Sequence, residues 1–301
     1  MRPHLTIVAG ATGSGKTALG VALAQRLDAE IVSADSQAVY RHFDVGTAKP
    51  SPEQLTAVPH HLVSIVEPTE DFSAVRWAEL ARSAIQDIRA RGRRVLIVGG
   101  TGLYIRVLLH GIVDVPSTAS VRPSLVREWK QLGPEWMHRR LASVDPESAA
   151  RIPANDAMRV IRALEIRMLT GQRASALRRA HQFAPAQYPF TLWFLDPENE
   201  LLADRLAQRT RAMFEGGLIE ETERLVAAGY RGTAPMKSVG YRQALAVIDR
   251  RMSPAEAEAE TLLETRRYAK RQRTWFRREE GTRFVAPPYA AVWEEAGIPL
   301  R

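Results

Sequence analysis

Eight residues near the start of the chain, Gly10-Ala11-Thr12-Gly13-Ser14-Gly15-Lys16-Thr17, follow the pattern G-x-x-x-x-G-K-[ST]. That spacing suits a polyphosphate. Glycines let the backbone wrap an anion, so that its N–H groups and the N-terminus of the next helix face the charge. Lys16 can then reach the outer phosphates, and the Thr17 hydroxyl can ligand a magnesium ion. Two further segments carry polar groups after apolar runs: Ser33-Ala34-Asp35-Ser36-Gln37-Ala38-Val39-Tyr40 and Ile97-Val98-Gly99-Gly100-Thr101-Gly102-Leu103-Tyr104. Asp35 can act as a general base, order metal-bound water or, with Ser36, simply cap a helix. Gly99 and Gly100 bring backbone close to a ligand, and Thr101 offers a hydroxyl. That second segment has no carboxylate at its strand end, where most P-loop enzymes keep an acidic residue for the magnesium shell. A kinase reading is weakened by the gap.

The elements that must position these residues follow from apolar spacing. A short apolar strand over residues 5–9 precedes the glycine-rich loop, and a helix over 17–27 follows it (Leu19, Ala22, Leu23, Leu27). Strands are expected over 30–33, 61–65 and 94–98. A helix over 73–91 stops at Gly92. The strand over 94–98 is read as parallel because a helix precedes it. Asp35 and the Gly99-Gly100-Thr101 turn therefore follow strands on the side where α/β proteins bind ligands. From about residue 114 to 188 no strand pattern appears. A helix over 156–170 has Asn155 as its expected cap and Gly171 as terminator, with arginines crowded around it. A strand returns over 190–195, then helices over 199–228, 241–249 and 254–280, then a last strand over 283–285. The expected fold class is α/β: a P-loop NTPase-like parallel-sheet core over 1–113 and 189–301, with an all-helical domain inserted over 114–188.

Lysine and arginine outnumber acidic residues by 42 to 34, a net charge of +8, and arginine dominates. Such a balance suits a polyanionic partner, though arginine-rich proteomes also give it to plain enzymes. The 301 residues include no cysteine, which excludes disulfides, cysteine-ligated zinc, iron–sulfur clusters and a cysteine nucleophile. The start of the chain has no signal-peptide pattern, and no apolar run is long enough to span a bilayer. A cytoplasmic protein with no membrane partner is expected, and a monomer. His60-His61 point in different directions with no third ligand nearby, and read as structural.

The segments GATGSGKT, SADSQAVYRHFDVGTAKP, VPHHL, VGGTGLY and RYAKRQRTWFR, in this order, resemble the bacterial tRNA dimethylallyltransferases (tRNA isopentenyltransferases). They span nearly the whole chain. The phosphate loop is common to many enzymes, whereas the second and fourth segments are far more specific. Ala11 and Gly13 depart from the family's usual G-P-T-A, but both are small.

The resemblance implies transfer of a five-carbon group from dimethylallyl diphosphate to N6 of the adenosine just 3′ of a tRNA anticodon. Diphosphate leaves, with Mg2+ as cofactor. On that reading Gly10, Ala11, Thr12, Gly13, Ser14, Gly15, Lys16 and Thr17 hold the diphosphate, with Thr17 as the metal ligand. Arg205 and Arg209 lie one helical turn apart and can point together towards the phosphates, Arg209 being the preferred ligand. Asp35 takes or orients the N6 proton, and Thr101 sits beside both substrates. Asp35, Ser36, Gln37 and Ala38 line a pocket for the extruded base, where Gln37 can read its edge. The anticodon stem-loop is expected to meet Arg159, Val160, Ile161, Arg162 and Ala163 on the inserted helix. Lys237 and Arg271 join the RNA side, while the aromatic residues of the last long helix are assigned to core packing.

Overall fold

In the computed structural model, which describes residues 3–112, 120–181 and 185–297, the run Leu5-Thr6-Ile7-Val8-Ala9-Gly10 forms β1 (Leu5–Gly10). It is almost wholly buried, as a parallel strand covered on both faces must be. In chain order there follow α1 (Lys16–Leu27), β2 (Ala29–Ser33), α2 (Pro52–Ala57), a two-residue β3 (His60–His61), α3 (Ala74–Ala90), β4 (Arg94–Gly99) and α4 (Gly102–His110). Next come α5 (Arg122–Val144), α6 (Pro146–Arg151), α7 (Ala157–Thr170) and α8 (Ala174–His181). The chain then returns through β5 (Phe190–Leu195), α9 (Asn199–Glu215), α10 (Leu218–Ala227), α11 (Tyr241–Ile248), α12 (Pro254–Phe276), β6 (Thr282–Val285) and α13 (Ala290–Glu295). Contacts divide the chain into two units, Met1–Leu109 with Gln187–Arg301, and His110–Ala186. The expected first boundary, at residues 113–114, lies outside the described residues.

The first unit is the expected α/β architecture. Six parallel strands run in the order β3-β2-β4-β1-β5-β6. Alternation decides the two faces. Ile7, Ala9, Ile97, Leu192 and Phe194 share one core with Trp77, Ile85 and Phe276, whereas Val8, Leu96, Val98 and Leu195 share the other with Leu19, Leu23 and Val292. Helix α3 shows how sequence sets position. The Ser73 hydroxyl caps it, accepting the Arg76 N–H at 3.1 Å. Trp77, Ala81, Ile85 and Ile88 then recur at helical spacing on the buried face. Trp77 stacks on Tyr104 with ring centroids 4.8 Å apart, and its Nε1–H donates to the Ser33 carbonyl at 2.9 Å. This pins the end of β2, two residues before Asp35. Truncating a buried indole of this kind costs about 3–5 kcal/mol.

Three elements differ from expectation. The strand expected over 61–65 stops at His61, because Leu62 and Ser64 adopt left-handed backbone (φ 64° and 52°) and Ile65 instead donates to the Val39 carbonyl. The helix expected over 199–228 is two helices, broken at Gly216-Gly217 where Gly217 takes φ 88°. The long last helix ends at Phe276, short of residue 280.

In the second unit α5 is kinked at Gly133 (φ 80°), just before Pro134. Its core joins Leu125, Met137 and Leu141 to Val160, Ile161, Ala163 and Leu164 of α7. Asp156, not Asn155, caps α7 by accepting the Arg159 N–H at 3.1 Å, and Gly171 (φ 69°) ends it. Burial opposes the charge on Asp145, but hydrogen bonds from Ser148 and Ser175 outweigh it and hold its pKa down to about 2.

Candidate active site

Three adjacent strands, β2, β4 and β1, deliver the three polar segments to the carboxyl edge of the sheet. From β1 comes the phosphate loop. Gly13 and Gly15 take φ of 78° and 89°, a left-handed conformation that leaves α1 starting at Lys16 with free N–H groups. Burial lowers the Lys16 pKa to about 8; Asp35 opposes the shift and Arg209 adds to it. Burial likewise pushes the Arg209 guanidinium down, with Asp35 again opposing. Two cations thus share one carboxylate in a confined space. Such a site is short of negative charge.

The Asp35 loop and the β4 turn are locked together. Ala34 N–H donates to the Val98 carbonyl at 2.8 Å, Thr101 N–H to the Ala34 carbonyl at 3.0 Å, and Ser36 N–H to the Thr101 hydroxyl at 3.0 Å. Asp35 Oδ1 accepts the N–H groups of Gln37 (2.8 Å) and Ala38 (3.3 Å), closing a turn rather than capping a helix, since no helix follows before α2. Oδ2 makes no hydrogen bond among the described residues, which leaves it for chemistry.

One cavity of about 290 Å³ collects Thr12, Lys16, Thr17, Asp35, Ser36, Gln37, Arg209 and Lys237. Ala38 is buried and lines a smaller space beside it with Lys16, Thr17 and Asp35. The Gln37 side-chain oxygen is buried without a hydrogen-bond partner among the described residues, an acceptor waiting for a donor. Arg205 is not on the cavity wall. It donates to the Ser14 carbonyl of the phosphate loop at 3.3 Å.

Sequence reasoning missed three residues here. Gln272 of α12 accepts the Thr12 N–H and donates to the Gly100 carbonyl, both at 2.9 Å, joining phosphate loop to β4 turn. A Cβ on Gly100 would lie 2.3 Å from its amide nitrogen, which explains that glycine. Glu221 of α10 is buried and accepts the N–H groups of Asp44 and Val45, and it is bonded by the Tyr241 hydroxyl. The same hydroxyl accepts the Gly46 N–H at 3.1 Å, so this pair shapes the wall formed by Gly46, Thr47 and Ala48. Burial and Glu221 push the Tyr241 phenol up. Their signal lay in contacts across the chain, which no local pattern records. Tyr268 is a correction. It is 36% exposed and lines the cavity rather than the core, with Arg271 over its ring at 5.7 Å. Burial of its hydroxyl and then Asp35 raise its pKa, while Arg271 and Thr101 pull it down. Trp275 packs only partly into the core, and Phe276 lies fully within it.

In the helical unit, Arg159 is exposed beside Asp156 at 3.4 Å, and Arg162 reaches Glu165 at 3.3 Å. The side chains of Val160, Ile161 and Ala163 are buried in this unit's own core, where they pack α7.

A phosphate loop on a parallel sheet, two half-buried cations and a carboxylate oxygen without a partner among the described residues, with no acidic residue ending β4, are the features of a P-loop enzyme. The sequence matches the IPP transferase family over residues 38–279 and the isopentenyl transferase family over 3–64. A tRNA dimethylallyltransferase of Myxococcus xanthus is 58% identical, over 99% of this chain and 96% of that protein. One of Anaeromyxobacter dehalogenans is 50% identical over 95% and 96%. Among solved structures, the tRNA isopentenylpyrophosphate transferase of Bacillus halodurans superposes with a TM-score of 0.70 at 36% identity, covering 95% of this chain and 90% of that one. The chain belongs to the IPP transferase family of tRNA dimethylallyltransferases.

Proposed function

We infer that this protein transfers a dimethylallyl group from dimethylallyl diphosphate to N6 of the adenosine 3′-adjacent to a tRNA anticodon. The observation that carries this reading is the single cavity in which the cations Lys16 and Arg209 meet the free oxygen of Asp35 and the base-reading side chain of Gln37. In the reaction the bond from the allylic carbon to the diphosphate oxygen breaks and the N6–carbon bond forms. The N6 proton passes to Asp35 Oδ2, and diphosphate leaves. Charge grows on the leaving oxygen as the allylic carbon becomes cation-like, so Lys16, Arg209 and the loop N–H groups act mainly in the transition state.

The residues fit Mg2+. This ion needs only one or two protein oxygens when phosphate oxygens and water complete its shell. Thr17 lines the cavity, and no group of three or more acidic, histidine or cysteine side chains is gathered there among the described residues. When bound, the ion neutralises diphosphate charge.

The acceptor base must leave its stack, which costs about a few kcal/mol. The buried Gln37 oxygen offers compensation as an acceptor for a base-edge donor, and Tyr268 as an aromatic face. Lys237 and Arg271 in the first unit, and Arg159 and Arg162 in the second, serve the RNA backbone. Release of inorganic pyrophosphate that requires both tRNA and dimethylallyl diphosphate tests the reading. Transfer of the γ-phosphoryl group of ATP to a small acceptor, with ADP formed and no tRNA required, would favour a kinase instead.

A further inference from the structure

Tyr289 stands 275 residues from Ser14 in sequence, yet its hydroxyl donates to the Ser14 carbonyl at 2.5 Å. Both residues are buried, Ser14 completely. The same carbonyl accepts from Arg205 at 3.3 Å. Tyr289 adopts left-handed backbone, φ 63° and ψ 33°, which is costly for an aromatic residue and persists only where surroundings over-determine it. Those surroundings are the apolar layer in which Tyr289 and Val292 pack with Leu19 and Leu23 of α1, and Trp293 beneath Arg26.

The Ser14–Gly15 peptide is planar and trans, so its carbonyl and its N–H point in opposite directions. Fixing the Ser14 carbonyl on Tyr289 and Arg205 therefore fixes the Gly15 N–H on the opposite side, away from both. That N–H donates to no group among the described residues. Without a clamp, a peptide between two residues flanked by left-handed glycines can rotate and turn its oxygen towards the ligand, replacing attraction by repulsion. We propose that Tyr289 is a positioning residue for the phosphate loop, holding the Ser14–Gly15 peptide so that the Gly15 N–H meets the diphosphate. The proposal rests on the diphosphate reading above and adds the C-terminal segment to the donor site.

Titration of the full chain with magnesium pyrophosphate, alongside steady-state kinetics, tests it with two variants. Tyr289→Phe keeps the ring and removes the hydroxyl. Val292→Ala loosens the same apolar layer without touching Ser14. Tyr289→Phe is expected to weaken pyrophosphate binding roughly three- to tenfold, the effect of one neutral hydrogen bond. KM for dimethylallyl diphosphate should rise by the same factor, with KM for tRNA unchanged and the melting temperature lowered less than in Val292→Ala. Val292→Ala should lower the melting temperature and leave pyrophosphate affinity as it was. Unchanged affinity in Tyr289→Phe overturns the proposal alone. Loss of affinity in both variants in step with stability also overturns it, since packing then suffices. A wild-type protein that ignores pyrophosphate overturns the diphosphate reading and the proposal together.

Discussion

The phosphate side of the cavity and the arginine face of α7 are both basic, but they are built differently. Lys16 and Arg209 are half-buried in the cavity wall, and that burial lowers both pKa values. Their charge is partly desolvated before any ligand arrives, so an incoming anion meets a field that water screens less than at an open surface. Arg159 is exposed and pairs with a half-buried Asp156 at 3.4 Å, an arrangement worth little on its own and readily exchanged for a phosphate. On the proposed function this is a division of labour: groups that stabilise a transition state sit half-buried in the cavity wall, while groups that collect a large polyanion are left solvated and replaceable. Arg162 stands between the two cases. With Arg122 it serves the buried carboxylate of Glu165, so it also holds the helical unit together.

The largest break in this comparison comes from Asp35→Asn. Asparagine keeps an oxygen for the Gln37 and Ala38 N–H groups but cannot take a proton. Turnover should fall about 10²–10⁴-fold, with melting temperature and tRNA affinity retained; single-turnover kinetics would check it. Next is Lys16→Met, which should weaken pyrophosphate binding by at least about tenfold, since a hydrogen-bonded charge contributes about 1.5–3 kcal/mol. Titration calorimetry would measure it.

The Lys16 pKa of about 8 gives the matching pH dependence. Lys16 is mostly protonated at pH 7, so pyrophosphate affinity should be flat below about pH 8. It should fall as pH rises through and above that value, and Lys16→Met should lose the dependence.

Glu221→Gln leaves part of the bonding to Asp44, Val45 and Tyr241 unmade. It should cost about 1–3 kcal/mol of stability by denaturant unfolding and slow turnover less than Asp35→Asn does. The smallest effect is expected of Arg159→Ala. KM for tRNA should rise about two- to fivefold, with a salt slope shallower by about 1 and kcat unchanged. In contrast, Arg162→Ala should lower stability as well, because Glu165 is fully buried and loses a partner.

What could be read in the sequence were features that are local or periodic. The strand before the phosphate loop, the loop, α1 and the Gly99-Gly100-Thr101 turn each announce themselves within about a dozen residues, and a parallel sheet, though not its strand order, followed from strand–helix alternation. The break at Gly216-Gly217 was also visible in the sequence, but apolar spacing on both sides masked it. Gln272, Glu221, Tyr241 and Tyr289 were not legible, because each acts through a partner more than a hundred residues away or through a buried hydroxyl. The burial of Val160, Ile161 and Ala163 was not read from the arginine-rich stretch, because neighbours along a helix point to different faces and only some face solvent.

The central claim is that one cavity joins a diphosphate grip to a proton acceptor for an amine. Its most direct test uses the purified protein with magnesium, labelled dimethylallyl diphosphate and an unmodified tRNA carrying three adenosines from the third anticodon position onward. Mass spectrometry of the digested RNA should find labelled N6-dimethylallyl adenosine at the base following the anticodon, and none with Asp35→Asn on the same timescale. Unlabelled RNA, from folded protein with tRNA bound, would contradict the account.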